Sequence, residues 1–231
     1  MAKQPATLAL EFSQRAGSIA MMNCNGDTET REVDSAKREK DEVFPSIETM
    51  STSLGITPIE LELVVVSIGP GGFTGLRTSV AIAKMVALAS EAKIVSVESA
   101  IVTVQQANLG TGPFLVVSSV KGDGCRASMI QKNDCEWKCI SQNVSVASLG
   151  HKLAGIKAVF ADEFLPKQAS IQCQNHQVEI HPCNPDATSL LQIGLTAHKD
   201  GEFIDPDQLL PIYPREPEAV RLWNERRRTQ Q

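Results

Sequence analysis

Short apolar runs alternate with amphipathic segments through the first half of the chain, which is the pattern of an α/β fold. The apolar or alternating runs predict five strands, at residues 7–12, 17–23, 28–33, 61–68 and 93–97. Between them, three segments predict helices, at residues 35–54, about 74–90 and 99–108. In the first helix Val43, Ile47, Met50 and Leu54 recur at spacings of four, three and four, so they share one face. Pro45 interrupts that pattern, and we expect a kink or break there.

The second half restarts the same pattern. Residues 114–138 follow residues 7–31 at a constant offset of 107, with Leu8 over Leu115 and Gly17 over Gly124. Six identities in 25 positions are close to chance, but the order of strand, glycine turn, alternating strand and polar turn is also shared. This favours a duplicated hairpin architecture with two lobes. Beyond it we predict helices at 145–153 and 186–198, a strand at 157–160 and an extended, proline-rich segment at 205–217.

Composition is that of an ordinary globular protein. The 231 residues are 42% hydrophobic and 21% charged, with a formal net charge of -5, which argues against a surface that binds nucleic acid throughout. No apolar run approaches the length of about 20 residues that spans a bilayer, and the apolar run near the start is too short for a signal peptide. The six cysteines are scattered without CxxC pairs. We therefore expect a cytoplasmic protein with reduced thiols and no membrane partner.

The segment SIGPGGFTGLR, residues 67–77, is the strongest chemical signal. An apolar strand leads into a glycine-rich turn that opens a helix, where free N–H groups and the helix dipole favour an anion. The spacing fits neither a Walker A loop nor GxGxxG. A structural turn, a protein interface and a phosphate site all remain open for it. Arg77 is either a bidentate partner for phosphate or carboxylate, or a surface side chain bonded to a nearby loop.

Other candidate residues have weaker support. Glu11 ends the first strand, where carboxylates commonly face ligand crevices, although a hydrogen-bonded strand-end carboxylate is the more ordinary interpretation. Asp123 is most simply a turn residue. The group Cys173, His176, His181 and Cys183 fits no usual zinc spacing. No serine hydrolase elbow or HExxH helix is present, so we predict no catalytic and no metal-binding residues.

Four stretches resemble the TsaB (YeaZ) family in the family's order. SIGPGGFTGLRTSVAIAKMVALA resembles its GPGSFTGLR-type loop and small-residue helix, and TLALEFSQRAGSIAMMNCNG resembles its opening strand–turn–strand. VSVESAIVTVQQ resembles the next strand and helix, and LLPIYPREPEAVRLWNERR resembles the closing P-x-Y-x-R-x-x-E-A motif. The resemblance implies an α/β, two-lobed actin/Hsp70-like (ASKHA, ribonuclease H-like) fold with duplicated lobes. We expect the lobes at residues 1–110 and 111–231, the second ending in an extended basic tail.

The same resemblance implies a function. Such proteins are noncatalytic relatives of TsaD, the transferase that places threonylcarbamoyl on adenosine beside the anticodon of tRNA. A TsaD-like transferase and a TsaE-like ATPase are then the expected partners, tRNA is reached through the complex, and a homodimer is an alternative assembly. Two other hypotheses stay open: a small ATP-dependent enzyme or degenerate glycoprotease-like hydrolase of this fold, and a homodimeric scaffold with unrelated partners.

Departures from the family motifs mark a divergent member. The opening AIDTS motif reads Ala9-Leu10-Glu11-Phe12-Ser13, Gly72 replaces a serine in the loop, and the second lobe reads SSVK at 118–121 without the family's aspartate. The HxxxH metal pair of TsaD-like proteins is absent from residues 35–54. We expect no intrinsic cofactor, with any ATP or ADP bound at the interface of the complex.

The predicted interface lies on the glycine turn and the helix that follows it. Its candidate residues are Gly71, Gly72, Phe73, Thr74, Gly75, Arg77, Val80, Ala83, Lys84 and Ala87. The family tail motif supplies Tyr213, Arg215, Glu218 and Ala219. Residues 221–228 hold four arginines against one glutamate, and Arg226, Arg227 and Arg228 are candidates for tRNA contact. Alternatively, residues 221–228 form a solvated terminus or contact an acidic surface of a partner protein.

Overall fold

Two five-stranded sheets form the framework of the chain. The computed structural model describes residues 3–34, 42–120, 124–133 and 136–213, together with Trp223, Arg226 and Arg227. The ten strands, in chain order, are β1 Thr7–Glu11, β2 Ala16–Met22, β3 Thr28–Asp34, β4 Leu63–Gly69, β5 Lys93–Glu98, β6 Phe114–Val120, β7 Gly124–Asn133, β8 Glu136–Ser145, β9 Ala158–Ala161 and β10 Ile180–Pro182. Within residues 3–213 the described α-helices are α1 Val43–Leu54, α2 Phe73–Ser90, α3 Ser99–Ala107, α4 Lys167–Asn175 and α5 Ala187–Asp200.

The two sheets have the same topology. The first has the order β3-β2-β1-β4-β5 and the second β8-β7-β6-β9-β10. In each, three antiparallel strands open the sheet and two parallel strands extend it from the first strand. The pairing of β1 with β2 and of β6 with β7 confirms the duplicated hairpins expected from the offset of 107 residues. The topology and the duplication together are those of the expected two-lobed ASKHA fold.

Helices cover both faces of each sheet. On the first sheet, α1 and α2 bury Met50, Val80 and Ala83 against one face, while α5 buries Leu190 and Leu191 against the other. Because β1 is covered on both faces, its five residues are all buried, which explains why the apolar Leu8, Ala9 and Leu10 follow one another without alternation.

The covering helices connect the two lobes. Helix α3 follows the first sheet in the chain, yet its Ala100 and Val104 pack on Phe114 and Phe160 of the second sheet. Helix α5 follows the second sheet in the chain but lies on the first sheet. There a Cβ on Gly194 would overlap the side chain of Val65. The glycine thus lets this helix approach the sheet closely.

Several element predictions need correction. The structure describes the first helix from Val43, and Pro45 lies in its first turn, where a missing N–H costs little, so no break occurs. The segment at 145–153 is a 3-10 helix over Val146–Lys152 rather than an α-helix. Helix α4 was not predicted at all, because its sequence is mostly polar. Within the segment at 205–217, Pro206–Gln208 forms a 3-10 turn.

Candidate functional site

The glycine turn lies directly on the end of β1. The N–H of Gly72 donates to the carbonyl of Ser13 over 2.7 Å. A Cβ on Gly71 would overlap the backbone of Ser13, and a Cβ on Gly75 would overlap the carbonyl oxygen of Phe12. Both glycines are therefore required by backbone-to-backbone packing. This supports the structural interpretation of the turn, since one side of it is filled by the chain itself.

Phe12 and Glu11, which precede Ser13 at the end of the first strand, are both buried. Phe12 is buried in the core of the first sheet. Glu11 is buried as well, and its Oε1 accepts a hydrogen bond from the N–H of Ser13 at 2.7 Å. Burial raises the pKa of Glu11 above its ordinary value of 4.5 and outweighs the lowering effect of the neighbouring Ser13 and Ser67 hydroxyls and of the Ser13 N–H. The strand end is thus closed to solvent and holds a buried acidic side chain, which does not favour an anion there.

Helix α2 has two distinct faces. Val80, Ala83 and Ala87 point into the core of the first sheet and are at most 7% exposed. These three candidate interface residues are therefore covered by the chain's own first sheet and are not exposed to a partner in the folded chain. Helix α2, whose sequence is rich in small and apolar residues, is thus covered on one side only.

The opposite face of α2 carries an exposed stripe. Met85 is 57% exposed, Leu88 is 87% exposed and Phe73 is 50% exposed. Ala81 and Arg77 are exposed beside them. At about 100° per residue these five positions, with the half-buried Lys84, fall within an arc of about 120°. We call them the α2 stripe: Phe73, Arg77, Ala81, Lys84, Met85 and Leu88. Met85 and Leu88 were not predicted as interface residues from the sequence. Their spacing is nevertheless visible there, because Met85 follows Ala81 by four residues and Leu88 follows Met85 by three.

The glycine helix and the C-terminal motif meet at one end of this stripe. The guanidinium of Arg77 lies 3.9 Å from the ring centroid of Phe73, and its Nε donates to the hydroxyl of Tyr213 at 3.1 Å. The rings of Phe73 and Tyr213 are 5.2 Å apart. The N–H of Ile212 donates to the carbonyl of Ile68, which ties the segment to the end of β4. Two motifs 136 residues apart in sequence are thereby joined, as the loop interpretation of Arg77 anticipated.

The rest of the predicted tail lies mostly outside the described residues. Arg215, Glu218, Ala219 and Arg228 fall there, as does Asp123. Arg226 and Arg227 are exposed, and Arg227 lies 5.3 Å from the ring centroid of Trp223. These exposed arginines are available to a phosphate backbone or to an acidic partner.

The four Cys and His candidates point in different directions. Cys173 is buried in one core of the second lobe, His176 caps α4, and Cys183 is buried near Thr103 of α3. His181 lies on β10 beside Glu179, at 3.6 Å. Within the described ranges, no three His, Cys, Asp or Glu residues are placed to share a metal ion. The five described cysteines form no disulfide.

A cleft of about 770 Å³ opens elsewhere, between the end of β5, α3, α5 and the β7–β8 hairpin. Glu98, Lys132 and Trp137 line it, and none of the candidate interface, tail or metal-ligand residues does. Of the helices in the described part of the chain, none has both the length and the apolar character that crossing a bilayer requires.

Comparisons with known proteins show which proteins share part of this sequence and this fold. The family model of TsaD, tRNA N6-adenosine threonylcarbamoyltransferase, matches residues 34–139. A crystal structure of an uncharacterized Pseudomonas aeruginosa protein with similarity to peptidase YeaZ matches with a TM-score of 0.75 and 18% identity, covering 92% of this chain and all of that one. YeaZ from the same organism matches with a TM-score of 0.69 and 17% identity, covering 91% of this chain and all of that one. Among curated protein sequences, none matches this chain.

The TsaD-type segment begins at the end of β3 and ends within β8, so it contains the glycine turn, the whole of α2 and the strand that opens the second lobe. The structural matches extend the likeness over nearly the whole chain. The chain is thus similar to the TsaD family model over residues 34–139, and over nearly its whole length it has the fold of the two YeaZ-type structures.

Proposed function

We propose that this protein is a noncatalytic subunit of the machinery that forms threonylcarbamoyladenosine in tRNA, and that it binds a TsaD-like transferase through the α2 stripe. The observation that carries the proposal is the stripe itself. It joins an apolar surface to two basic side chains, Arg77 and Lys84, on one 18-residue helix. An exposed leucine beside an exposed methionine on such a helix is typical of a surface that another helix covers.

The charge on the stripe indicates the kind of partner. Arg77 and Lys84 lie on the exposed arc, and the arc carries no carboxylate. A partner helix with an apolar face flanked by Asp or Glu would complement it, because opposite charges across an interface favour the correct register. A TsaD-like transferase is the expected owner of that helix, and a TsaE-like ATPase would then join the pair.

The packing of the glycine turn supports a noncatalytic role. Gly71 and Gly75 are packed on the strand end, and Phe12 replaces a hydroxyl residue at the position where a phosphate would approach. A nucleotide at this turn would have to displace the chain's own backbone. We therefore propose that any ATP or ADP is bound only once the partner is in place.

The experiment is size-exclusion chromatography with light scattering on this protein and the TsaD-like protein of the same organism. The test variant is the double change Met85→Asp and Leu88→Asp, which adds charge to the exposed stripe without touching the core. Phe164→Asp is the matched control, because Phe164 is 71% exposed in the loop between β9 and α4 of the second lobe.

The proposal predicts one peak containing both chains, lost in the double variant and kept in the control. Two separate peaks with wild-type protein, with and without ATP, would contradict it. A shifted peak containing this chain alone would favour the homodimeric alternative. Turnover of ATP by the isolated chain, lost on changing Glu11, would favour an enzyme of this fold.

A further inference from the structure

Three buried polar atoms without direct partners lie at the end of β1. They are Oε2 of Glu11 and the hydroxyl oxygens of Ser13 and Ser67. Each residue is at most 1% exposed. Ser67 follows Val66, which pairs with Leu10, so Ser67 and Glu11 are neighbours on adjacent parallel strands. We call these three residues the strand-end cluster. Buried polar atoms are nearly always paired in folded proteins, so three orphans in one place require an explanation.

The surroundings of the cluster hold negative and neutral groups. Asp186, which caps α5, acts on Glu11 as a nearby negative charge, and Glu11 in turn acts on the thiol of Cys183. Among the described residues no ion pair to Glu11 is found, and the groups that shift its pKa include no lysine or arginine. A carboxylate here would be buried beside another carboxylate without a counter-charge, which is a costly arrangement.

A neutral carboxylic acid resolves both observations. Its Oε2–H group is a donor, so it can bond to a serine hydroxyl, and the hydroxyls can complete the ring by small rotations. We propose that Glu11 keeps its proton at neutral pH, and that this proton closes the strand-end cluster and fastens the glycine turn to β1.

The connection to the turn runs through Ser13. Its N–H donates to Glu11 Oε1, and its carbonyl accepts from Gly72 at the start of α2. Loss of the proton would place a charge between β1, β4 and α5, and water or a backbone shift at Ser13 would have to accommodate it. The glycine turn and the first residues of α2 would therefore loosen as Glu11 ionises. This inference stands whether or not the protein binds a TsaD-like partner.

The test is the stability of Glu11→Gln as a function of pH, since glutamine keeps the shape, a donor and an acceptor. Burial raises the pKa of Glu11 in the folded chain above 4.5. Below pH 4.5 Glu11 is protonated in both the folded and unfolded chains. Above it the unfolded chain ionises while the folded chain does not, so wild-type stability falls until the pH passes the raised pKa. The unfolding equilibrium constant should rise about tenfold for each unit of that shift.

The Glu11→Gln variant has no ionisable group at this position, so its stability does not fall in this way as the pH rises. We expect it to be more stable than wild type at pH 7 and above, with the advantage vanishing near pH 4. Glu60→Gln is the matched control of opposite sign. Hydrogen bonds from Thr57 lower the pKa of Glu60, so its charge stabilises the fold above pH 4.5, and that variant should lose stability there. Equal or lower stability of Glu11→Gln at pH 7 would overturn the proposal.

A spectroscopic measurement on the wild-type chain covers the case in which Glu11→Gln fails to fold. With carboxyl-labelled glutamate, NMR should show one glutamate that keeps the chemical shift of a protonated acid at pH 7. If every glutamate titrates below about pH 5, as ordinary carboxyls do, Glu11 is ionised and the proposal is wrong.

Discussion

Replacing Gly75 by alanine tests whether the glycine turn is fastened to the end of β1. On an exposed helix this change stabilises by up to about 1 kcal/mol, because glycine is the poorer helix former. Here the added Cβ would overlap the carbonyl oxygen of Phe12 and would lie 3.3 Å from the Cβ of the same residue. Phe12 is itself buried and cannot move freely. Overpacking of this kind costs about 1–3 kcal/mol.

The expected net effect of Gly75→Ala is a loss of about 1–2 kcal/mol in the free energy of unfolding, since the clash exceeds the gain in helix propensity. For a chain of this size that corresponds to a fall in Tm of roughly 2–8 °C. Thermal unfolding followed by circular dichroism measures it. The matched control is Gly72→Ala, because Gly72 has an ordinary φ of -63° and a Cβ there would lie 3.7 Å from the nearest atom, the Ser13 oxygen.

The control should change stability by less than about 1 kcal/mol in either direction. The reasoning fails if Gly75→Ala is as stable as wild type, or more stable. The turn would then stand away from β1 and present its N–H groups to a ligand, which is the phosphate interpretation of the same sequence.

Two further predictions concern packing and thiol chemistry. Gly194→Ala should destabilise the chain by about 1–3 kcal/mol in denaturant titrations, because the Cβ would overlap Val65 in a central strand; an unchanged midpoint would mean that α5 does not pack on the first sheet. Exposed Cys24 should be alkylated at pH 8 long before Cys139, because burial raises the pKa of the Cys139 thiol to about 11. The rate of Cys139 alkylation should increase as the pH rises. Equal alkylation rates at the two thiols would contradict the buried environment of Cys139.

The sequence predicted the fold well because hydrophobic periodicity and turn residues determine strands and their order. The similar patterns of residues 7–31 and 114–138 form the opening strands of two sheets that have the same topology. The apolar face of α1 packs against the core, as the spacing of its residues indicated. Helix α4 was missed because only Ala169 and Cys173 of its nine residues are buried, which leaves little periodic signal.

The site was harder to predict than the fold. The faces of α2 depend on which side the first sheet covers, and a helix rich in alanine, valine and leucine gives little indication of it. Val80, Ala83 and Ala87 were therefore assigned to the wrong face. The contact of Arg77 with Tyr213 depends on how residues 204–213 pass the ends of β4 and β5, which no local pattern encodes.

The affinity of this protein for the TsaD-like protein of its own organism, measured by calorimetry with wild type and with the Met85→Asp, Leu88→Asp variant, tests the central claim most directly. Burying two such side chains contributes about 3–6 kcal/mol, so the variant should bind roughly 100-fold more weakly or worse, while Phe164→Asp binds as wild type does. Unchanged affinity of the double variant would contradict the assignment of α2 as the partner-binding helix.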